Sequence, residues 1–348
     1  MNRRDFGRIG AAGLAGAVSG TELFSQSGVA PSGTELSSQS NVAPSSVQSG
    51  AYRYVHVDVF TDRRLQGNQL LVFVQPAGLD VDRMQALTRE SNYSECTFVF
   101  PPEAAGTDHR VRIFTRTAET AFAGHPTLGT AFALAHAGVL KSGTLRTVFG
   151  LGVGPTNVDL DWKDGRLAFA WMTQLKPTFG KTMTDTAALA SAIGVDASAI
   201  GGPHAPQEVN CGSNFFIVPL ATRKAVDAAV LDRAKADAAF AAAGIQRRGI
   251  YVFTNEPGSD TATAYTRLLG TGGTEDPGTG SAAGPAACFM VQHRFVPPER
   301  AGSIEMLQGV LVKRPSHIFA KVELTGADIT GIKVGGGAVV VGEGTMGV

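Results

Sequence analysis

Two short Gly-rich segments hold the residues best suited to acid–base chemistry. One runs Glu119-Thr-Ala-Phe-Ala-Gly124-His125-Pro126-Thr-Leu-Gly129; the other runs Glu275-Asp276-Pro277-Gly-Thr279-Gly280-Ser281-Ala-Ala-Gly284. In each, a Glu is followed five positions later by Gly, a polar residue comes next, and a helix of small residues begins. The start of a helix offers unpaired backbone N–H groups and partial positive charge, which suit a substrate carboxylate. Two such ends, around Gly124 and Gly280, imply a pseudo-symmetric protein with one site between its halves.

A third element adds a proton carrier. Glu95 opens the apolar run Glu95-Cys-Thr-Phe-Val-Phe100. A carboxyl entering a hydrophobic sheet is desolvated, and its pKa rises towards neutrality. Such a group can take a proton from carbon and return it elsewhere. Read singly, Glu95 is also an ordinary strand-end residue, His125 a loop histidine, and Asp276 and Ser281 ordinary helix caps. The matching of the two segments gives the set its functional reading, with Glu95, His125 and Asp276 as candidate catalytic groups. Gly124, His125, Asp276, Gly280 and Ser281 are the candidate substrate-binding residues.

These residues need elements to hold them. Val55, Val57 and Val59 alternate with polar neighbours, which predicts a strand over 54–60, and a second follows over 70–74 after the turn at Gly67-Asn68. Asp80 caps a helix with Met84 and Leu87 inward. Strands are expected over 95–100, 110–114, 145–148, 157–160 and 167–171, with a helix from Pro126 to His136 ended by Gly138. The second half repeats the plan. Helices are expected over 187–193, 224–243 and 280–292, and strands over 214–218, 249–253, 263–268, 309–312, 317–322 and 333–341. Many short strands with one central helix per half predict an α+β fold. The expected division is 1–50, 51–175 and 176–348.

The first fifty residues stand apart. Arg3-Arg4-Asp-Phe6, followed by an Ala/Gly stretch, resembles a twin-arginine export signal. Residues 19–31 and 32–44 are a tandem repeat rich in Ser, Gly and Gln, expected to be a flexible linker. These features predict a periplasmic or extracytoplasmic protein, with the cytoplasm as the alternative. Lys+Arg and Asp+Glu each total 30, and no basic stripe is present, so nucleic acid is not an expected partner. No apolar run is long enough to span a bilayer. The three cysteines (Cys96, Cys211, Cys288) lack C-x-x-C spacing, and the histidines lack H-E-x-x-H. Ser281 is not in a G-x-S-x-G elbow, and Gly150-Leu-Gly-Val-Gly154 falls short of a dinucleotide fingerprint. No metal or cofactor is therefore expected.

From Tyr52 onward the chain resembles the phenazine-biosynthesis isomerase (PhzF-like) family, which shares its fold with diaminopimelate epimerase. The resemblance is carried by Asp58-Val-Phe60, Gly67-Asn68, Ser94-Glu95-Cys-Thr-Phe98, Arg112-Ile-Phe-Thr, Phe122-Ala-Gly-His125-Pro, the Glu275–Gly284 segment, Leu307-Gln-Gly309 and Arg314-Pro-Ser-His-Ile-Phe-Ala-Lys321. It implies two similar domains, each a barrel-like sheet around a central helix, usually paired as a homodimer. It implies cofactor-free isomerisation of a small carboxylate such as trans-2,3-dihydro-3-hydroxyanthranilate. Glu95 would move the proton, while His125, Asp276 and Ser281 would bind the substrate, with His125 and Asp276 assisting relay. The N–H groups around Gly124 and Gly280 would hold the carboxylate. The related epimerases use two cysteines in these loops, and neither loop has one here. An epimerase of a small amino or hydroxy acid, and a non-catalytic binding protein, are the alternatives. The chain departs from the family's Gly-Asn-Pro at Gly67-Asn68-Gln69. It also departs from Arg-x-Phe-x-Pro, at Arg112-Ile-Phe114-Thr-Arg116 and at Arg267-Leu-Leu269-Gly270.

Overall fold

The computed structural model describes residues 50–201, 204–246, 248–270 and 275–348. The export-signal and repeat readings fall on residues outside this set. The described residues form one compact unit.

In chain order the first half contains β1 (Ala51–Val59), β2 (Asn68–Val74), α1 (Val81–Ser91), β3 (Glu95–Phe100), β4 (His109–Thr115), β5 (Glu119–Thr120), α2 (Gly124–His136), β6 (Arg146–Leu151), β7 (Gly154–Lys163) and β8 (Arg166–Thr173). There follow β9 (Thr178–Thr182), α3 (Thr186–Ile193), β10 (Gln207–Asn210), β11 (Asn214–Pro219), α4 (Arg223–Ala228), α5 (Arg233–Ala242), β12 (Gly249–Thr254) and β13 (Ala264–Leu269). The chain closes with α6 (Gly280–Gln292), β14 (Ile304–Gln308), β15 (Ser316–Thr325), β16 (Asp328–Gly336) and β17 (Ala338–Gly347).

The ladder pairings carry an internal repeat. Along β1-β2-β3-β4-β6-β7-β8 the pairs run antiparallel, parallel, antiparallel, parallel, antiparallel, antiparallel. Along β10-β11-β12-β13-β14-β15-β16 they run in the same sequence of senses. Each run wraps one 13-residue helix, α2 or α6. Both helices are apolar all round and buried from their first residue, as befits a core element rather than a surface one. Small residues let the sheet come close: a Cβ on Gly129 would run into Val57, Val59 and Leu70.

The expected break near residue 175 separates the two central helices but not the strands. The last strand, β17, lies antiparallel on the first, β1, and β16 joins β8 to β15. The two chain ends of the folded part thus share one half. Three local expectations also change. The helix expected over 224–243 is two helices, because Val230 and Asp232 donate their N–H groups to Ile193 and Ala192 of α3, and Asp232 recaps the chain at Lys235. The strand expected over 309–312 is a turn with Val310 and Leu311 exposed; the strand is Ile304–Gln308. Gly309 has φ +78° and Lys313 φ +58°, values that end an extended run. The single strand expected over 333–341 is divided between β16 and β17 at Gly337.

Candidate active site

The two central helices begin against each other. A Cβ on Gly124 would collide with the backbone of Gly280 and Ser281, so only glycine permits this approach. Neither Ala123 nor Thr279, the residues preceding the helices, caps its helix with a side chain. No side chain therefore takes the N–H groups of Gly124, His125, Gly280 and Ser281, and the positive ends of two helix dipoles converge there. Each loop leading to these ends is anchored by an arginine–glutamate fork. Arg112 of β4 holds Glu119 through Nε and Nη2 at 2.8 and 2.6 Å. Arg267 of β13 holds Glu275 at 3.0 and 2.8 Å. The Glu–Gly spacing of the sequence is thus a repeated anchor, not a repeated acid.

Glu95 stands at the first position of β3, with Thr115 as its cross-strand neighbour. About 20% of its side-chain surface is open, it lines the cavity, and its Oε2 lies 3.7 Å from His125 Nε2. Burial, followed by the field of Asp276, pushes Glu95 up to about 8, against a smaller opposing pull from Arg116. His125 is held down to about 3 by burial, so it is a neutral imidazole. Its Nε2 is buried and has no hydrogen-bond partner.

Asn68 ties these groups together. Its Nδ2 lies 2.6 Å from Asp276 Oδ1, 2.9 Å from the Gly278 carbonyl and 3.1 Å from His125 Nδ1. An amide nitrogen has two hydrogens, and the two oxygens take them. His125 faces Asn68 through Nδ1 and Glu95 through Nε2. Asp276 is itself raised by burial, but Thr279 Oγ1 donates to its Oδ2 at 2.6 Å. Both oxygens of Asp276 are therefore occupied. Gln308 fastens the loop, accepting from Thr279 N at 3.0 Å and donating to the Asp276 carbonyl at 2.9 Å.

All six residues singled out in the sequence, Glu95, Gly124, His125, Asp276, Gly280 and Ser281, line one cavity of about 410 Å³. Phe215 and Leu268 give it an apolar wall from the second half. Sequence reasoning did not assign Asn68, Arg116, Thr279 or Gln308 to the site. The turn Gly67-Asn68 was visible as a motif, but its bond to Asp276 spans 208 positions and no local pattern reveals it. Among the described residues no cysteine lines the cavity. Cys96 points to the opposite sheet face, under α1, where burial raises its thiol to about 11.

A fold of two repeated halves, with an acid at the cleft beside two helix ends, suits the proton transfer of an isomerase, and relatives of the chain are isomerases. Residues 57–344 match the phenazine biosynthesis-like protein family, to which the chain belongs. It is 35% identical over 301 residues to trans-2,3-dihydro-3-hydroxyanthranilate isomerase of Pseudomonas aeruginosa, covering 84% of this chain and 98% of that protein. Among solved structures, a predicted epimerase from Pseudomonas aeruginosa superposes with a TM-score of 0.72 at 28% identity, covering 85% of this chain and 99% of the other. The Bacillus anthracis phenazine biosynthesis protein of the PhzF family shares the fold, with a TM-score of 0.75 at 22% identity and coverage of 85% and 99%. The α+β, epimerase-like architecture and the isomerase class expected from the sequence are thereby established.

Proposed function

We propose that Glu95 is a single general base and acid that moves a proton between two carbons of a small carboxylate, without a cofactor. The observation that carries this reading is the asymmetry of the two halves. Arg112 pairs with Phe98, three residues after Glu95; its counterpart Arg267 pairs with Val252, three residues after Gly249. Glu95 thus has a glycine as its symmetry mate, so the repeat supplies no second glutamate opposite it to act as the paired base of a two-base epimerase.

In the reaction, ionised Glu95 takes a proton from a carbon adjacent to an unsaturated or carboxyl-bearing carbon. The negative charge spreads towards the substrate carboxylate, where the N–H groups around Gly124 and Gly280 stabilise it. The same carboxyl, now protonated, delivers the proton to a second carbon. A carrier with a pKa near working pH serves both steps. His125, neutral with its Nε2 towards Glu95, steadies the protonated carboxyl and orients the substrate. Asp276 holds Asn68 and, by its charge, keeps Glu95 basic. Ser281 adds a hydroxyl at the α6 end.

The test uses the full chain with trans-2,3-dihydro-3-hydroxyanthranilate in deuterated buffer, followed by NMR beside Glu95→Gln. Turnover with deuterium at the receiving carbon, lost in the variant, is the expected result. Failure of the folded wild type to turn over this compound removes it as the substrate; turnover by the variant removes Glu95 as the carrier.

A further inference from the structure

The cavity contains one cation that the mechanism above does not use. Arg116 lines it, directly beyond Thr115, the cross-strand neighbour of Glu95. Among the described residues its guanidinium makes no hydrogen bond or ion pair; its charge reaches Glu95 only through space. The other arginines near the cleft are engaged: Arg112 with Glu119, Arg267 with Glu275, Arg314 with Asp58. The turn that carries Arg116 is held by hydrogen bonds nonetheless. Thr115 N donates to the Ala118 carbonyl at 2.8 Å, Thr115 Oγ1 accepts from Ala118 N at 3.1 Å, and Gln85 of α1 donates to the Thr115 carbonyl at 2.7 Å. A rigid turn thus presents a half-buried, unpaired guanidinium to the same space as the two open helix ends. It is also a position where this chain departs from the family's motif.

We propose that the natural substrate carries two acidic groups, one carboxylate at the Gly124/Gly280 helix ends and a second anion on Arg116. Its carbon skeleton would lie along Phe215 and Leu268. The inference rests on the carboxylate reading of the site and adds a second charge to it. A guanidinium meets a carboxylate through two parallel N–H···O bonds, and a partly desolvated pair of this kind discriminates well.

The experiment is calorimetric titration of the full-length protein with benzoate and with the three benzene dicarboxylates, which place a second acid at three spacings. The expected result is that at least one dicarboxylate binds about tenfold more tightly than benzoate, the gain for a hydrogen bond to a charged group. That preference falls to about one in Arg116→Gln and is partly kept in Arg116→Lys. Equal binding of all four acids, or a preference that survives Arg116→Gln, overturns the second-anion site while leaving the carboxylate reading intact. If benzoate and all three dicarboxylates fail to bind the folded wild type, the carboxylate reading falls and this inference falls with it.

Discussion

Glu95 is costly to the fold, and its cost has a pH signature. In the unfolded chain its carboxyl ionises near 4.5; in the folded chain it does so near 8. Folding therefore holds the proton more tightly, and stability contributed below the lower value is lost as pH rises through the upper one, at up to about 1.4 kcal/mol per pH unit. Glu95→Gln cannot ionise, so it should leave the melting temperature near wild type at pH 4 and raise it progressively to pH 8, by calorimetry. A variant no more stable than wild type at pH 8 would contradict the buried acid. In the proposed mechanism the same residue sets the rate. Because the proposed reaction begins with the ionised form, kcat/KM should climb about tenfold per pH unit and level off near 8. Asp276→Asn removes the negative charge that raises Glu95, so the plateau should begin at lower pH even as the rate falls. An unmoved profile would show that Asp276 exerts no such field. Glu95 was readable from sequence because a single acid ahead of an apolar strand is a local feature. Asn68, which ties His125 to Asp276, and Arg116, whose charge acts on Glu95, were not, because strand register and a turn bring them to the site.

At the scale of elements, the repeated Arg–Glu forks invite comparison because they differ in burial. Glu119 is 35% exposed and Arg112 22%, whereas Arg267 is 10% and Glu275 17% exposed. Arg267 also donates through Nη1 to the carbonyls of Val226, Asp227 and Ala229 at 2.6, 2.9 and 3.1 Å, closing the end of α4. Removing a partner from an exposed pair costs roughly 1 kcal/mol or less. Removing Arg267 leaves the carbonyls of Asp227 and Ala229 and a mostly buried carboxylate unsatisfied, worth about 3–5 kcal/mol. Urea unfolding of Arg112→Ala and Arg267→Ala should show this contrast; equal losses would refute the burial argument. The elements themselves were largely legible. Strand alternation in β1 and the Asp80 cap of α1 follow local rules. The failures came where tertiary bonds overrule local preference: α3 splits the 224–243 helix through two backbone bonds. The apolar run Val310-Leu311-Val312 reads as a strand, yet it is spent on a turn that delivers Arg314.

That turn explains how the whole molecule holds its site. Arg314 reaches back 256 positions to Asp58, donating through Nη2 to Oδ1 at 2.6 Å. It also donates to the carbonyls of Gln66 and Gly67 at 2.8 and 2.9 Å, so it grips the turn that carries Asn68. Asp58 is 1% exposed, and its other oxygen accepts from Leu65 N at 2.7 Å. The residue that positions Asn68, and through it Asp276, thus comes from the far end of the chain, as β17 does for β1. No reading of local sequence predicts such closure, although Asp58 and Arg314 both stood in motifs. Arg314→Ala strands a buried carboxylate and should cost about 3–5 kcal/mol in urea unfolding. Asp58→Asn alone leaves an arginine that still holds two carbonyls, and should cost less. In the double variant Asp58→Asn/Arg314→Ala the stranded charge is gone, so the loss should fall below the sum of the two single losses by more than about 1 kcal/mol. Each variant containing Arg314→Ala should also lose activity beyond its loss of stability, because Asn68 is no longer fixed. Simple additivity, or full activity in folded Arg314→Ala, would mean that the two ends of the chain are joined without the site depending on it.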